Sequence, residues 1–212
     1  MCRLLCAKNR EPFDIGERLW HLADIARNSP EYQGHGWGCA YIVGGAWRVY
    51  HDIKPIWEDD LDQFGATTLL LGHARSAFRD ENIVVENNMP FSDDRYVFAF
   101  NGELRGVRIT AEGRIGAEKV FNFVKRFDKG DMAAAMRKGM DVIVRRTRYV
   151  RAMNMIIADP ENVYVGSFYN EEPEYFRLRA QEDAGGFVVS SETVPENGSW
   201  RVISNDTVER FR

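Results

Sequence analysis

Cys2, directly behind the initiator methionine, is the first residue in this sequence that could do chemistry. Excision of Met1 would make it the terminal residue, with a thiol and a free α-amine on one residue. Thiolate attack ordinarily needs a separate base to take the proton. Model α-amines titrate at about 7.7–8.0 and thiols at about 8.5, so this amine is matched to that task near neutral pH. If Met1 stays attached, that base is blocked. The competing reading is packing, because free cysteines commonly act as small buried apolar side chains. Strand alternation puts Cys2, Leu4 and Cys6 on one face and Arg3 and Leu5 on the other.

Two further segments combine polar chemistry with strand ends. In Gly72-His73-Ala74-Arg75, His73 and Arg75 share a face by period two. Arg75 has the fork geometry to hold a carboxylate with two parallel charge-assisted hydrogen bonds; the plainer alternative is a surface ion pair. In Phe100-Asn101-Gly102-Glu103-Leu104, the Asn101 amide and Gly102 N–H could serve as oxyanion donors. Equally, Asn-Gly between apolar stretches is a strong hairpin signal. Trp37 reads either as a pocket wall or as core, and Cys6 and Cys39 as strand packing. The four histidines show no zinc-ligand spacing, and Gly34–Gly38 lacks the lysine of a phosphate loop, so no metal or cofactor is expected.

The elements that must position these residues follow from periodicity. Residues 1–7 read as a strand. A helix is expected from Asp14, its N-cap, to about Asn28, with Ile15, Leu19, Leu22 and Ile25 on one face and Pro30 as a stop. Cys39–Val43 and Ala46–His51 read as a hairpin across Gly44-Gly45, and Thr67–Gly72 and Tyr96–Phe100 as strands covered on both faces. Ala117, Val120, Phe121 and Val124 share one helical face; Met132, Met136, Met140 and Ile143 share another. Strands are expected again at Met153–Ala158, Val163–Phe168, Tyr175–Arg179, Phe187–Ser190 and Trp200–Ile203, with a turn at Glu196-Asn197-Gly198 among those separating them. Short connections between strands favour antiparallel pairing, giving an α+β class of two stacked sheets with helices outside, in a single domain over residues 1–212.

Composition sets the outer bounds. The chain has 212 residues, 44% apolar and 28% charged, as in ordinary soluble domains. A formal net charge of −4 argues against nucleic-acid binding, and the cluster Arg145-Arg146-Thr147-Arg148 with Arg151 reads as a solvated helix end. Three cysteines without a Cys-x-x-Cys spacing, no signal peptide and no long apolar run point to a cytoplasmic location without membrane association.

Met1-Cys2-Arg3-Leu4-Leu5, Gly36-Trp37-Gly38, Gly72-His73-Ala74-Arg75, Asn88-Met89-Pro90-Phe91, Phe100-Asn101-Gly102-Glu103-Leu104 and Ser191-Glu192 occur in that order. Together they resemble the class II glutamine amidotransferase domain, a family of N-terminal nucleophile hydrolases. The resemblance implies a four-layer αββα sandwich of two antiparallel sheets. It also implies that Cys2 attacks a γ-glutamyl amide to form a thioester, with its own amine as base. Asn101 and Gly102 would then stabilise the oxyanion, while Arg75 holds the substrate α-carboxylate and His73, Trp37 and Glu118 contribute to the substrate site.

This chain departs from the family's Thr-Asp-Thr/Ser-Glu pattern: it reads Arg114-Ile115-Gly116-Ala117-Glu118, with Gly116 where the ammonium-binding aspartate would stand. Glu112 or Glu118 would have to supply that charge, or the substrate amine is recognised differently. His35 replaces an aspartate before Gly-Trp-Gly. With 20 residues after Glu192, a fused synthase is not expected, so ammonia would pass to a separate synthase partner or the enzyme would hydrolyse a γ-glutamyl metabolite outright. Glutathione and ergothioneine breakdown are examples of the second route. The reading from another class is a non-catalytic regulatory or binding subunit that kept the fold.

Overall fold

The computed structural model describes residues 1–193 and 198–212. β1 (Arg3–Asp14) leads directly into α1 (Ile15–Arg27), followed by the hairpin β2 (Trp37–Val43) and β3 (Ala46–Asp52). Next come β4 (Ala66–Ala74), the two-residue β5 (Phe91–Ser92), β6 (Val97–Val107), α2 (Gly116–Lys125) and α3 (Met132–Arg145). The chain then returns to strands: β7 (Thr147–Ala158), β8 (Val163–Ser167), a helical turn α4 (Pro173–Phe176), β9 (Arg179–Glu182), β10 (Gly186–Ser190), β11 (Arg201–Val202) and β12 (Thr207–Phe211).

Among the described residues the strands form two antiparallel sheets, ordered β11-β9-β10-β1-β4-β2-β3 and β12-β8-β7-β6-β5. The first strand of the chain is thus central in its sheet, with Arg3 opposite Ala74 of β4 and Leu5 opposite Ser190 of β10. Period two then assigns the layers. Leu5, Ala7, Leu70 and Ala74 face outward onto α1, whose Ile15, Leu19, Leu22 and Ala26 form the buried stripe. Leu4, Cys6, Leu69 and Leu71 face inward, in one core with Val97, Ala99 and Ile156 of the second sheet. On the far side of that sheet, Phe98 stacks on Phe121 of α2 at 4.8 Å between ring centroids, and Met136 and Met140 of α3 close over Gly166 of β8. The result is the expected α+β four-layer sandwich.

Local signals explain the helix ends. The Asp14 carboxylate accepts the Glu17 N–H at 2.9 Å, and Asp131 accepts the Ala134 N–H at 3.0 Å, so each caps a first turn. Several expectations are corrected. β1 continues past residue 7 to Asp14, through an irregularity between Lys8 and Phe13. β6 does not end at Phe100: pairing with β7 carries it through Asn101-Gly102, so no hairpin forms there. Tyr175–Arg179 is not a strand, because Pro173 starts a helical turn that buries Phe176. Trp200–Ile203 contracts to Arg201–Val202, while β5 and β12 were not anticipated. Glu196 and Asn197 of the expected last turn lie outside the described residues.

Gly72 shows how tightly α1 is seated. A Cβ at this position would lie 2.8 Å from Leu22 Cδ2. Gly72→Val should therefore cost about 1–3 kcal/mol by overpacking, and Leu22→Ala about 2–5 kcal/mol by leaving a cavity. Urea denaturation should find the double variant less destabilised than the sum; strict additivity would show that the two sites do not share this contact.

Candidate functional site

The start of β1 and the end of β4 meet at one rim of the sandwich, and this pairing brings Cys2, His73 and Arg75 onto the inward face. Cys2 is 8% exposed. Its Sγ lies 3.5 Å from the Ser76 N–H, which donates to it, and 3.6 Å from the Ser76 carbonyl, to which the thiol donates. Burial pushes the Cys2 thiol up, against the pull of the N-terminal ammonium, the Ser76 N–H and Arg75. Burial raises Cys6 too, to about 12, with only Lys8 opposing. Cys2 is therefore the cysteine held beside an N-terminus, a backbone donor and an arginine.

Arg75 is buried and points into the segment that follows it. Its guanidinium donates to the carbonyls of Asn82 at 2.8 Å and Val84 at 3.3 Å, and to Asn88 Oδ1 at 3.1 Å. Asn88 in turn donates to the Asp52 carbonyl at 2.7 Å. Gly36, at φ +104°, leaves room for this amide: a Cβ there would sit 2.2 Å from Asn88 Nδ2. His35 takes up the neighbouring segment, its Nδ1 accepting the Ala77 N–H at 2.9 Å. The Asn88 and His35 positions thus serve to hold the arginine and its loop.

β6 faces this rim from the other sheet, and its Asn101 pairs across to Asn154 of β7. Asn101 is 1% exposed, yet neither its Oδ1 nor its Nδ2 has a hydrogen-bond partner among the described residues. An unpaired buried amide costs about 1–3 kcal/mol, so its retention calls for an explanation. Gly102 has a steric one: a Cβ would lie 2.2 Å from the Ala152 carbonyl oxygen.

His73 is fully buried at the β4 end, facing the Phe100 backbone; burial first, then the Arg75 charge, depresses its pKa to about 3. It is neutral at physiological pH and adds no positive charge to the rim. Trp37 is placed differently from the pocket-wall expectation. It is 0% exposed in the core beneath α1, with its indole N–H on Asp59 at 3.0 Å. Glu118 is likewise engaged elsewhere. It forks onto the Arg114 guanidinium at 2.7 and 3.0 Å and accepts the Arg114 N–H, at a cleft of about 320 Å³ lined by His51, Glu86 and Phe91. A Cβ on Gly116 would meet nothing within 4 Å.

The acid that does act on Cys2 is Glu31, which no local pattern singles out. It accepts the Met1 ammonium and, at 2.9 Å, Arg151. Arg151 also pairs with Glu103 at 3.4 Å and with Glu172, so it is a strand residue in an ion network rather than part of a solvated helix end. Arg3, 1% exposed, stacks on Tyr175 at 4.0 Å and pairs with Glu192 at 3.2 Å, while Ser191 Oγ accepts the Leu4 N–H at 2.9 Å. The Ser191-Glu192 pair therefore anchors the first residues of β1. Among the described residues there is no group of three or more His, Cys, Asp or Glu side chains able to hold a metal ion, and no helix long and apolar enough to cross a membrane.

Among solved structures the fold is similar to that of a glutamine aminotransferase class-II domain protein from Silicibacter pomeroyi. The TM-score is 0.69 at 14% identity, covering 99% of this chain and 94% of the other. It is also similar to a predicted glutamine amidotransferase from Pseudomonas aeruginosa, with TM-score 0.61, 17% identity and 99% and 97% coverage. The glutamine phosphoribosylpyrophosphate amidotransferase of B. subtilis matches at TM-score 0.66 and 14% identity; this chain spans 49% of it. No family model and no curated protein sequence matches. The fold is that of class II glutamine amidotransferase domains.

His73 provides a stability test. Its folded pKa of about 3 lies below the ordinary imidazole value of 6.5, so between those two pH values the unfolded chain binds the extra proton and stability falls as pH drops. His73→Gln should flatten this acid limb by up to about 1.4 kcal/mol per pH unit. An unchanged slope in denaturation curves between pH 6 and 4 would mean that His73 is not buried neutral.

Proposed function

We propose that this protein is a γ-glutamyl amide hydrolase of the class II amidotransferase type, acting through Cys2 once Met1 has been excised. The observation that carries the reading is the buried Asn101 amide, unpaired among the described residues on the sheet that faces Cys2 and Arg75. A preorganised donor is useful where negative charge develops later, and losing one such donor typically costs about 100–1,000-fold in rate.

In this scheme the Cys2 amine takes the thiol proton. Excision places the positive end of the chain on Cys2 itself, where its pull opposes the desolvation that raises the thiol. The thiolate attacks the γ-carbonyl carbon, and Asn101 Nδ2 and the Gly102 N–H hold the oxyanion. The C–N bond breaks as the Cys2 ammonium gives its proton to the leaving nitrogen, leaving a γ-glutamyl thioester. The freed amine then deprotonates a water, which attacks the thioester and releases glutamate and the thiol. Arg75 holds the substrate α-carboxylate with the guanidinium donors left by Asn82, Val84 and Asn88. The 212 residues work as one domain in a reducing, cytoplasmic setting, in line with three free thiols.

Intact-mass analysis after incubation with a glutamine-derived electrophile should find one adduct, on Cys2, in protein lacking Met1. Label on Cys6 or Cys39 would reject the nucleophile. Cys2→Ala should abolish glutamate release and leave the unfolding transition in place. Arg75→Ala should raise KM about tenfold or more, as expected for the loss of a charge-assisted pair; unchanged kinetics would remove Arg75 from the substrate site.

A further inference from the structure

Met1 sits in a built cradle. Its ammonium is on Glu31, and its carbonyl oxygen accepts from Gln33 Nε2 and from the Tyr175 hydroxyl, the latter at 2.6 Å. Gln33 is 0% exposed, and its Oε1 has no hydrogen-bond partner among the described residues. Glu31, Glu103 and Glu172 share Arg151, and Arg105 pairs with Glu103. The Met1 ammonium supplies the remaining cation on Glu31. Excision shifts that charge to the Cys2 nitrogen and leaves the part-buried Glu31 carboxylate, still on Arg151, facing the vacated space, an arrangement that favours another cation.

The position of that space follows from the chemistry proposed above, on which this inference rests. An amine that protonates the leaving nitrogen must touch it, and Met1 is the residue bonded to the Cys2 nitrogen. We propose that the Met1 cradle becomes the leaving-group subsite, and that Glu31, with Gln33 and Tyr175, selects γ-glutamyl amides whose leaving amine carries a second, cationic nitrogen. Gln33 Oε1 accepts from the departing N–H, and Glu31 binds the distal ammonium where the Met1 ammonium now lies. Backbone dimensions place the two nitrogens about two to four methylenes apart. Hydrolysis then balances as amide plus water giving glutamate plus the diamine.

The test compares two isosteric substrates of the Met1-free enzyme: mono-γ-glutamyl-1,4-diaminobutane and γ-glutamyl-n-pentylamine. The diamine conjugate should have kcat/KM about tenfold higher or more, as for a hydrogen bond to a charged group. That ratio should shrink at high salt and collapse towards one in Glu31→Gln. The native-enzyme ratio and its salt dependence do not require the variant to fold. Equal kcat/KM for the two amides, or a preference that survives Glu31→Gln, would overturn the subsite while leaving the hydrolase reading intact. Cleavage of neither amide, with Cys2 unlabelled by the electrophile, would overturn both.

Discussion

The proposed mechanism requires a fixed chain end, and the interaction that fixes it is the seating of residues 3–5 between two strands. Arg3 and Leu5 pair with Ala74 and Gly72 on one side, and Leu5 pairs with Ser190 on the other. Ser191 closes the arrangement by accepting the Leu4 N–H through its hydroxyl and donating its own N–H to the Leu4 carbonyl at 3.0 Å. Arg3 adds a buried tie to Tyr175 and Glu192. A terminus ordinarily frays; this one is the centre of a seven-stranded sheet.

That constraint organises the charges. With Cys2 held on the inward face, the cation of Arg75 and the anion of Glu31 act on its sulfur from two directions. Arg75 is itself fixed by three acceptors in the segment 82–88, and Glu31 by Arg151. His73 stays neutral because burial, and then the Arg75 charge, disfavour its protonated form. Such a rim holds few mobile groups, so its electrostatics are largely preset by the fold.

The layered fold was legible because helix and strand periods are local. The stripe of Ile15, Leu19 and Leu22 and the alternation of Leu4 and Cys6 describe faces that the two sheets then bury. Local signals failed where pairing partners lie far along the chain. Asn101-Gly102 carries a hairpin signature, yet pairing with β7 continues through it and, past a register shift after Glu103, on to Val107. Arg151 sits in a basic run, but its ion partner Glu31 is 120 residues away. Cys2, His73 and Arg75 do come to one rim, which β6 with Asn101 faces from the other sheet, whereas Trp37 packs beneath α1 on Asp59 and Glu118 turned to Arg114. Nothing in the run Asn28-Ser29-Pro30-Glu31 announces an acid for the N-terminus, because that role exists only in three dimensions.

The seating of Met1 bears on when the excision required by the proposed mechanism can occur. An exopeptidase needs the terminal ammonium and the first peptide bond in its own active site, whereas here the ammonium is bound to Glu31 and the Met1 carbonyl to Gln33 and Tyr175. Trimming is therefore easiest on the nascent polypeptide, before β10 arrives to complete the sheet around β1. Under the proposed mechanism, a molecule that closes first would shield its own maturation site, and the proportion of competent protein would follow a race between processing and folding.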